Sequence, residues 1–295
     1  MRLAAIDIGS NAIRLQIAVV ASWENAKIKN LEYIRFPLRL GKDVFNIGEI
    51  SPPTEERFVK LMIAFKQFLE LYEVEDYMVC ATSAMREAHN GEQIAKRVYY
   101  SHGVRIEIID GATEGSIITN AISDYVDEGL CLHIDVGGGS TELGIIKGKE
   151  RMAVKSFRMG SVRQLDDENK ARTFAKMNDW LEKNLPLGYK TIQAVGTGGN
   201  LKKLYELAKT PSKKPISYAS LEAVSQMVAG LTYEQRVADL GLNTDRADVI
   251  VPASEIYLNV MKMAQAKQII VPDVGLKDGI LKTLFNKHAE LHSRI

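Results

Sequence analysis

Two stretches of the chain share one pattern of apolar and polar residues. Residues 3–20 read LAAIDIGSNAIRLQIAVV and residues 130–146 read LCLHIDVGGGSTELGII. Each is an apolar strand that ends in Asp-x-Gly, followed by small polar residues and a second β-rich run, so each predicts a strand–turn–strand hairpin. The number of residues between Asp7 and Asp135 is that of a whole domain, which is too many for one repeat of a solenoid. We therefore predict two similarly built halves.

The segments after each hairpin alternate between strand and helix patterns. Residues 54–72, for example, carry apolar side chains three and four positions apart, which is typical of an amphipathic helix. In the first half we predict strands at 27–39, 77–81 and 104–109 and helices at 54–72, 91–100 and 113–127. In the second half we predict strands at 130–136, 140–146, 151–158, 191–195 and 268–271 and helices at 169–184, 199–208, 218–229, 232–238, 245–265 and 276–291. This alternation predicts an α/β fold of two domains, 1–128 and 129–295, each with a mixed sheet.

Composition argues against several classes of protein. The 295 residues are 46% hydrophobic and 25% charged with a formal net charge of +1, which is ordinary for a globular protein and argues against a nucleic-acid or membrane partner. Cys80 and Cys131 form no CxxC or Cys/His cluster, so we expect neither a zinc site nor a disulfide framework. No apolar run reaches the roughly 18 residues of a membrane span, and Asp7 interrupts any signal-peptide core. We therefore expect a cytoplasmic protein.

The charge is unevenly distributed along the chain. Residues 1–128 have a net charge of −5 and residues 129–295 a net charge of +6. Most of the positive excess lies in 147–176, with nine basic and four acidic residues, and in 202–214, with five basic and one acidic residue. Solvated helix faces and loops are the simpler explanation, and a positive surface for an elongated polyanion is the alternative.

The turn of the second hairpin has the composition of a phosphate site. Its residues are Asp135, Val136, Gly137, Gly138, Gly139, Ser140, Thr141 and Glu142. Three consecutive glycines let the chain turn tightly and bring several N–H groups onto one anion. Asp135 and Glu142 flank the turn, and Mg²⁺ favours one or two carboxylates together with waters and substrate phosphates. A glycine-rich hairpin with a capping aspartate is the structural alternative.

Two further loops offer small residues to an anion. The first hairpin turn contains Asp7, Gly9, Ser10 and Asn11. Two Asp-x-Gly hairpins, one in each half, would grip a phosphoanhydride from both sides of a cleft. A third turn at 195–200, VGTGGN, presents Gly198 and Gly199 where a strand meets a helix N-terminus, a place suited to phosphate or to a base and ribose. A tight strand-to-helix connection explains this third turn equally well.

Two charged residues follow strands of the first half. Arg86 lies in ATSAMREA at 81–88, and a guanidinium there would clamp phosphate with two N–H groups. Glu114 lies in IIDGATE at 108–114, in the first turn of a predicted helix, where the positive helix end favours an ionised carboxylate suited to a general base. By themselves, both residues are more simply explained as structural.

Together, these loops resemble the exopolyphosphatase / guanosine pentaphosphate phosphatase (Ppx/GppA) family of the actin-like superfamily. The matching segments are DIGSNAIRL at 7–15, RLGKDVF at 39–45, ATSAMREAHN at 81–90, IIDGATEG at 108–115, DVGGGSTEL at 135–143, MGSVRQL at 159–165, VGTGGNLKKL at 195–204, RADVIVPA at 246–253 and VGLKDGIL at 274–281. They occur in the family's order over nearly the whole chain. Such an ordered set is far more specific than a single glycine-rich loop.

The resemblance implies a fold, a reaction and a set of roles. It implies two actin-like (ribonuclease H-like) domains with a cleft between them and Mg²⁺-assisted hydrolysis of a terminal phosphoanhydride. A requirement for a monovalent cation such as K⁺ stays open. By matched position, Glu114 and Arg86 are catalytic and Asn11 contacts phosphate. The metal- and phosphate-binding positions are Asp135, Gly137, Gly138, Gly139, Ser140 and Glu142.

The substrate is less well specified than the reaction. We favour inorganic polyphosphate because the second half is basic, with guanosine pentaphosphate as the runner-up. The chain departs from the family pattern at Ala12, Asn200 and Thr113, the last of which replaces one of two adjacent glutamates. These departures keep a non-catalytic polyphosphate or alarmone sensor as an alternative. A sugar kinase or ATPase of the same superfamily is a further alternative, and the ordered motifs, especially 81–90, argue against it. A homodimer is left open.

Overall fold

The computed structural model describes residues 1–126, 128–148, 150–186, 188–189 and 192–292. Within these ranges the strands are β1 (Arg2–Ile8), β2 (Ile13–Ser22), β3 (Lys27–Phe36), β4 (Asp76–Ala81), β5 (Glu107–Ile108), β6 (Leu130–Val136), β7 (Thr141–Lys147), β8 (Glu150–Phe157), β9 (Gln193–Thr197), β10 (Ile216–Ser217) and β11 (Gln268–Ile270). The helices are α1 (Leu40–Ile47), α2 (Pro52–Leu71), α3 (Ser83–Glu87), α4 (Gly91–His102), α5 (Gly111–Ile122), α6 (Asp167–Asn184), α7 (Gly199–Leu207), α8 (Tyr218–Ala229), α9 (Tyr233–Ala238), α10 (Thr244–Ala247), α11 (Ile250–Met263) and α12 (Leu276–His292). A 3₁₀ turn covers Ser123–Tyr125.

Each of two compact units contains one mixed sheet. In the first sheet, of order β3-β2-β1-β4-β5, the first three strands form an antiparallel meander and β4 and β5 run parallel to β1. In the second, of order β10-β11-β9-β6-β7-β8, the meander is β6-β7-β8, β9 and β11 run parallel to β6, and β10 is antiparallel to β11. The internal repeat seen in the sequence is therefore a repeat of sheet topology, and the predicted mixed α/β architecture is confirmed.

The last helix belongs to the first unit. That unit comprises Met1–Ala121 together with the segment from Leu276, and the second comprises Ile122–Gly275. The predicted division, 1–128 and 129–295, instead placed this helix with the second half. α12 packs on β1, β2 and β4, and its Phe285 ring stacks on Trp23 with ring centroids 5.0 Å apart. Long-range packing of this kind leaves no local mark in the sequence of a helix.

The buried strands explain why the apolar runs are continuous. All of Leu3–Ile8 in β1 is buried, because both faces of a strand at the centre of such a sheet are covered. The predicted face of α2 is buried as expected, through Phe58, Leu61, Met62, Phe65 and Leu69. Among the described residues, no helix is long and apolar enough to cross a membrane.

Several elements differ from the sequence-based expectation. The strand expected at 27–39 ends at Phe36, and after three residues without regular structure the chain forms the short helix α1. The helix expected at 245–265 is two helices, because Pro252 lacks an N–H and fits only in the first turn of α11. The strand expected at 191–195 is β9, two residues later, and residues 127 and 191 of the predicted elements lie outside the described residues.

Candidate phosphate-binding site

The two hairpin turns close in the same way. In the first unit the N–H of Gly9 donates to the carbonyl of Ala12 (3.2 Å), and in the second the N–H of Gly137 donates to the carbonyl of Ser140 (3.0 Å). A Cβ at either glycine would lie only 3.0 or 3.2 Å from that carbonyl oxygen, so the tight closure favours glycine. The repeated Asp-x-Gly motif thus encodes one turn geometry, used twice.

A returning loop fixes the direction of the second turn's carbonyls. This loop, residues 160–163, follows β8 and donates hydrogen bonds to the carbonyls of 137–139. The N–H of Ser161 donates to the first of these carbonyls, that of residue 137 (3.0 Å), and the N–H of Val162 donates to that of residue 138 (2.8 Å). Nε of Arg163 donates to the carbonyl of residue 139 (2.7 Å). The glycine turn is therefore held from one side along its whole length.

The opposite side of the turn presents N–H groups. The described peptide bonds are all trans, so the N–H that shares a peptide plane with each held carbonyl points the other way. The N–H groups of Gly138, Gly139 and Ser140 consequently face away from the returning loop. Consecutive N–H groups in a turn form a concave anion site. The second hairpin turn thus presents the consecutive N–H groups that the predicted phosphate site requires.

The first turn has a simpler version of the same support. The N–H of Gly41 donates to the carbonyl of Ser10 (2.8 Å), and the N–H of Arg39 donates to that of Asn11 (3.0 Å). These donors again follow the third strand of the unit. The Ser10 hydroxyl shares a hydrogen bond with the Ser83 hydroxyl (2.8 Å), which links the turn to the N-terminus of α3.

The two turns differ in charge. Asp7 lies opposite Arg14 in the β1–β2 register, and Arg14 Nη1 is 2.7 Å from Asp7 Oδ2. Asp135 lies at the equivalent position of β6, but its cross-strand neighbour is Glu142. The Asp7 carboxylate is therefore compensated by an arginine within its own hairpin, whereas the second hairpin carries two adjacent carboxylates. The acidic pair therefore makes the second turn, and not the first, the candidate cation site.

Partly buried hydrogen bonds hold the acidic pair. Thr197 Oγ1 donates to Asp135 Oδ1 (2.7 Å), and Ser156 Oγ donates to Glu142 Oε1 (2.7 Å). His133 Nε2 lies 2.9 Å from Thr197 Oγ1. Burial lowers the pKa of His133 to about 3, so its ring is neutral at pH 7. Behind the pair, the Tyr257 hydroxyl donates to the carbonyl of Thr197.

The donor chemistry of this pair fits a small divalent cation. Two carboxylates on neighbouring strands supply oxygen ligands only, which suits a hard ion. Within the described part of the chain, no group of three or more His, Cys, Asp or Glu side chains is placed to hold a metal. A cation at Asp135 and Glu142 would therefore complete its shell with water and with phosphate oxygens, as Mg²⁺ does.

Glu114 and Arg86 lie together in the first unit. Glu114 is buried in the first turn of α5, where the helix dipole favours its ionised form. Arg86 Nη1 lies 3.8 Å from Glu114 Oε2 and donates to the carbonyl of Ile109 (2.6 Å). The N–H of Thr113 donates to Asp110 Oδ1 (2.7 Å), and this hydrogen bond lowers the pKa of Asp110. Asp110 thus acts as the N-cap of the helix that carries Glu114.

Two predicted phosphate ligands have structural contacts. The Thr141 hydroxyl is fully buried and donates to the carbonyl of Met159 (2.7 Å), which ties β7 to the start of the returning loop. Gly198 adopts φ +112°, and a Cβ there would lie 2.8 Å from the Tyr257 hydroxyl. Gly199 is the first residue of α7, a helix of nine residues. The third turn therefore ends at a helix N-terminus, next in the chain to Thr197 and Gly198.

Sequence reasoning gave no role to several residues of this site. These are Gly160, Ser161, Arg163, His133, Thr197 and Tyr257. The segment MGSVRQL at 159–165 was a signal for the first three, because it matched the family motif. Nothing local marks His133 or Tyr257, which reach the site through strand pairing and helix packing.

The fold is that of a protein with two actin-like α/β units, each with a glycine-containing hairpin turn after its first strand. The sequence model of the Ppx/GppA phosphatase family matches residues 19–288, so the chain belongs to the Ppx/GppA phosphatase family. The predicted family, fold class and enzyme class, a phosphoanhydride hydrolase, are confirmed with it.

Individual relatives support the assignment. The chain is 24% identical to exopolyphosphatase 1 of Mycobacterium leprae over 98% of this chain and 91% of that protein. It is also 24% identical to a guanosine-5'-triphosphate,3'-diphosphate pyrophosphatase of Aliivibrio fischeri, over 94% of this chain and 58% of that protein. A crystal structure of the Aquifex aeolicus member of the Ppx/GppA family matches with a TM-score of 0.79 and 26% identity, over 98% of both chains.

Proposed function

We propose that this protein removes the terminal phosphate of inorganic polyphosphate in a Mg²⁺-dependent hydrolysis that releases orthophosphate. The observation that carries the proposal is the turn at 137–140, whose N–H groups face away from its supporting loop beside the acidic pair of Asp135 and Glu142. The similarity to exopolyphosphatase 1 of M. leprae, nearly end to end in both chains, supports the choice of substrate.

Mg²⁺ would be held by Asp135 and Glu142. When bound, it supplies positive charge that stabilises the phosphate oxygens of the substrate. The N–H groups of Gly138, Gly139 and Ser140 bind the oxygens of a terminal phosphate. Phosphoryl transfer depends mainly on such positioning and charge stabilisation, so no covalent intermediate with the protein is needed.

Glu114 is the general base in this proposal. A water oxygen forms the new bond to the terminal phosphorus, the anhydride P–O bond breaks, and its electron pair stays on the shortened chain. Glu114 accepts the proton of the water. Arg86, which lies 3.8 Å from Glu114, orients that carboxylate and adds positive charge for the phosphate. The helix N-terminus favours a negative charge on Glu114, and the carboxylate is the form that can accept the proton.

Guanosine pentaphosphate is the second candidate substrate. The similarity to the A. fischeri enzyme favours it, although this chain spans little more than half of that protein. Both substrates present a terminal phosphoanhydride, so the same groups would act on either. One feature of this sequence discriminates between the two substrates. Residues 129–295 are basic, which favours the longer polyanion, polyphosphate.

Orthophosphate release from the two substrates, measured side by side, tests the proposal. We expect faster release from polyphosphate, with activity lost in EDTA and restored by Mg²⁺. Equal or faster release from guanosine pentaphosphate would reassign the substrate, and full activity in EDTA would refute the metal. The same assay in Na⁺ and K⁺ buffers tests for a monovalent cation.

A matched pair of variants tests the base. Glu114→Gln keeps the size of the side chain but cannot accept a proton, and a general base is worth about 10²–10⁴-fold in rate. We expect kcat to fall by that factor with substrate Kd equal or lower. Glu107→Gln is the control, because Glu107 is an exposed residue of β5 on the same strand-to-helix segment. A folded Glu114→Gln protein that keeps more than about a tenth of kcat would refute the assignment.

A further inference from the structure

A buried chain of hydrogen bonds runs from the interior of the second sheet to Asp135. His133 and Asp135 lie two positions apart on β6 and pair in the parallel register with Val195 and Thr197 of β9. Side chains two apart on a strand share a face, so the imidazole and the carboxylate lie on either side of Thr197. Oγ1 of Thr197 is 2.9 Å from His133 Nε2 and 2.7 Å from Asp135 Oδ1. His133 and Thr197 are each only 1% exposed.

The proton count in this chain fixes the tautomer of His133. A hydroxyl has a single proton to donate, and an ionised carboxylate can only accept. The Thr197 proton therefore goes to Asp135, and the remaining contact requires His133 Nε2 to be the donor. Were Nε2 unprotonated, it would compete with Asp135 for the same proton. Nε2 of His133 must therefore carry a proton.

The backbone of Thr197 is held as firmly as its side chain. The Tyr257 hydroxyl donates to the Thr197 carbonyl and accepts the N–H of Val136 (3.1 Å), so one buried phenol joins the ends of β6 and β9. Tyr257 is itself 0% exposed. Tyr257 thus helps to hold the backbone of Thr197 beside Asp135.

We propose that Thr197 and His133 are positioning residues: His133 Nε2–H directs the Thr197 hydroxyl proton onto Asp135 Oδ1 and so holds this carboxylate in the orientation that binds a divalent cation. The proposal deepens the proposed function and rests on its metal assignment. Groups behind a metal ligand fix its orientation, and their loss typically reduces metal affinity or activity by about 10–100-fold.

Paired variants separate positioning from mere packing. Thr197→Val replaces the hydroxyl by a methyl group of similar size, whereas Thr197→Ser keeps the hydroxyl. His133→Leu removes the donor, whereas the amide nitrogen of His133→Gln can replace Nε2. Tyr189→Phe is the control in the same unit, because the Tyr189 hydroxyl bonds only the distant carbonyl of Ala264 (3.0 Å) among the described contacts.

The first measurement is Mn²⁺ binding by electron paramagnetic resonance without substrate, with melting temperatures recorded in parallel. We expect Thr197→Val and His133→Leu to weaken Mn²⁺ binding about 10–100-fold. Thr197→Ser, His133→Gln and Tyr189→Phe should stay within about threefold of the unaltered protein. Equal binding by Thr197→Val and Thr197→Ser would overturn the proposal, as would an unaltered protein that binds no Mn²⁺.

The second measurement is the ¹⁵N shift pattern of the His133 ring, which reports the tautomer directly. An Nε2–H tautomer is expected, and an Nδ1–H tautomer would overturn the proposal even if every variant folds poorly. Neither measurement uses hydrolysis. A protein that binds Mn²⁺ through this chain but hydrolyses no phosphoanhydride would therefore refute the proposed function alone.

Discussion

Gly160 is the residue at which a single methyl group should disable the site. It begins the loop that supports the glycine turn, and a Cβ there would lie 2.5 Å from the Gly138 oxygen, 2.6 Å from its carbonyl carbon and 2.7 Å from the nitrogen of Gly139. Non-bonded carbon contacts become favourable at about 3.5 Å, so Gly160→Ala forces the loop and the turn apart by about 1 Å. All three atoms are backbone, so no flexible side chain can move aside.

The displacement has two measurable consequences. A misplacement of about 1 Å costs about 10²-fold in rate, because the N–H groups at 138–140 no longer converge on the phosphate. Overpacking also costs about 1–3 kcal/mol of stability. At about 2–4 °C per kcal/mol for a unit of this size, the melting temperature should fall by about 2–12 °C.

Orthophosphate release and thermal unfolding of the same samples check this prediction. Gly230→Ala is the control, because Gly230 lies in the same unit at φ −70° and its Cβ would meet nothing closer than 3.5 Å. We expect the control to match the unaltered protein in both assays. If Gly160→Ala keeps more than half of the original kcat with an unchanged melting temperature, the returning loop does not hold the turn as described.

Three further perturbations probe the metal, the polyanion and the packing of the last helix. Asp135→Asn should lower turnover and raise the Mg²⁺ concentration needed for half-maximal rate, since an anionic ligand is lost; an identical Mg²⁺ titration would contradict the metal assignment. Joint replacement of the exposed Lys213 and Lys214 by glutamate should weaken long polyphosphate more than short polyphosphate, most strongly at low salt, and equal affinities at all lengths would argue against an extended binding surface. Asp76→Asn should destabilise the first unit at pH 7. Burial raises the pKa of Asp76, but the hydrogen bonds with Lys287 and His288 on α12 lower it by more, so that the pKa lies below its usual value of 3.8. A lowered folded-state pKa adds stability at pH values above the unfolded-state pKa, and this stability is lost as the pH falls through the folded-state pKa. The melting temperatures of the two proteins should therefore converge once the pH lies below the lowered pKa of Asp76, and a constant gap would refute the contact.

Several elements of the fold were predictable from local patterns of residues. The Asp-x-Gly hairpins at Asp7 and Asp135 were predicted because a buried strand, a tight turn and a second strand each have a local signature. The buried face of α2 was predicted for the same reason, since helical periodicity needs only one segment of chain. The ordered motifs also identified the family and the enzyme class, because many independent short matches in one order are specific.

The pairing of strands in the tertiary structure shows how the two turns differ in charge. The two hairpins look alike in sequence, but their cross-strand neighbours differ. Arg14 lies opposite Asp7 and compensates its negative charge, whereas Glu142 lies opposite Asp135 and adds a second carboxylate.

The supports of the second turn are likewise contributed by distant parts of the chain. Gly160 follows β8, Thr197 ends β9 and Tyr257 lies on α11. A hydrogen bond between residues tens of positions apart depends on strand order and helix packing, and no local pattern encodes either. The same reason explains why α12 joins the first unit: its partners are strands more than 190 residues earlier in the chain.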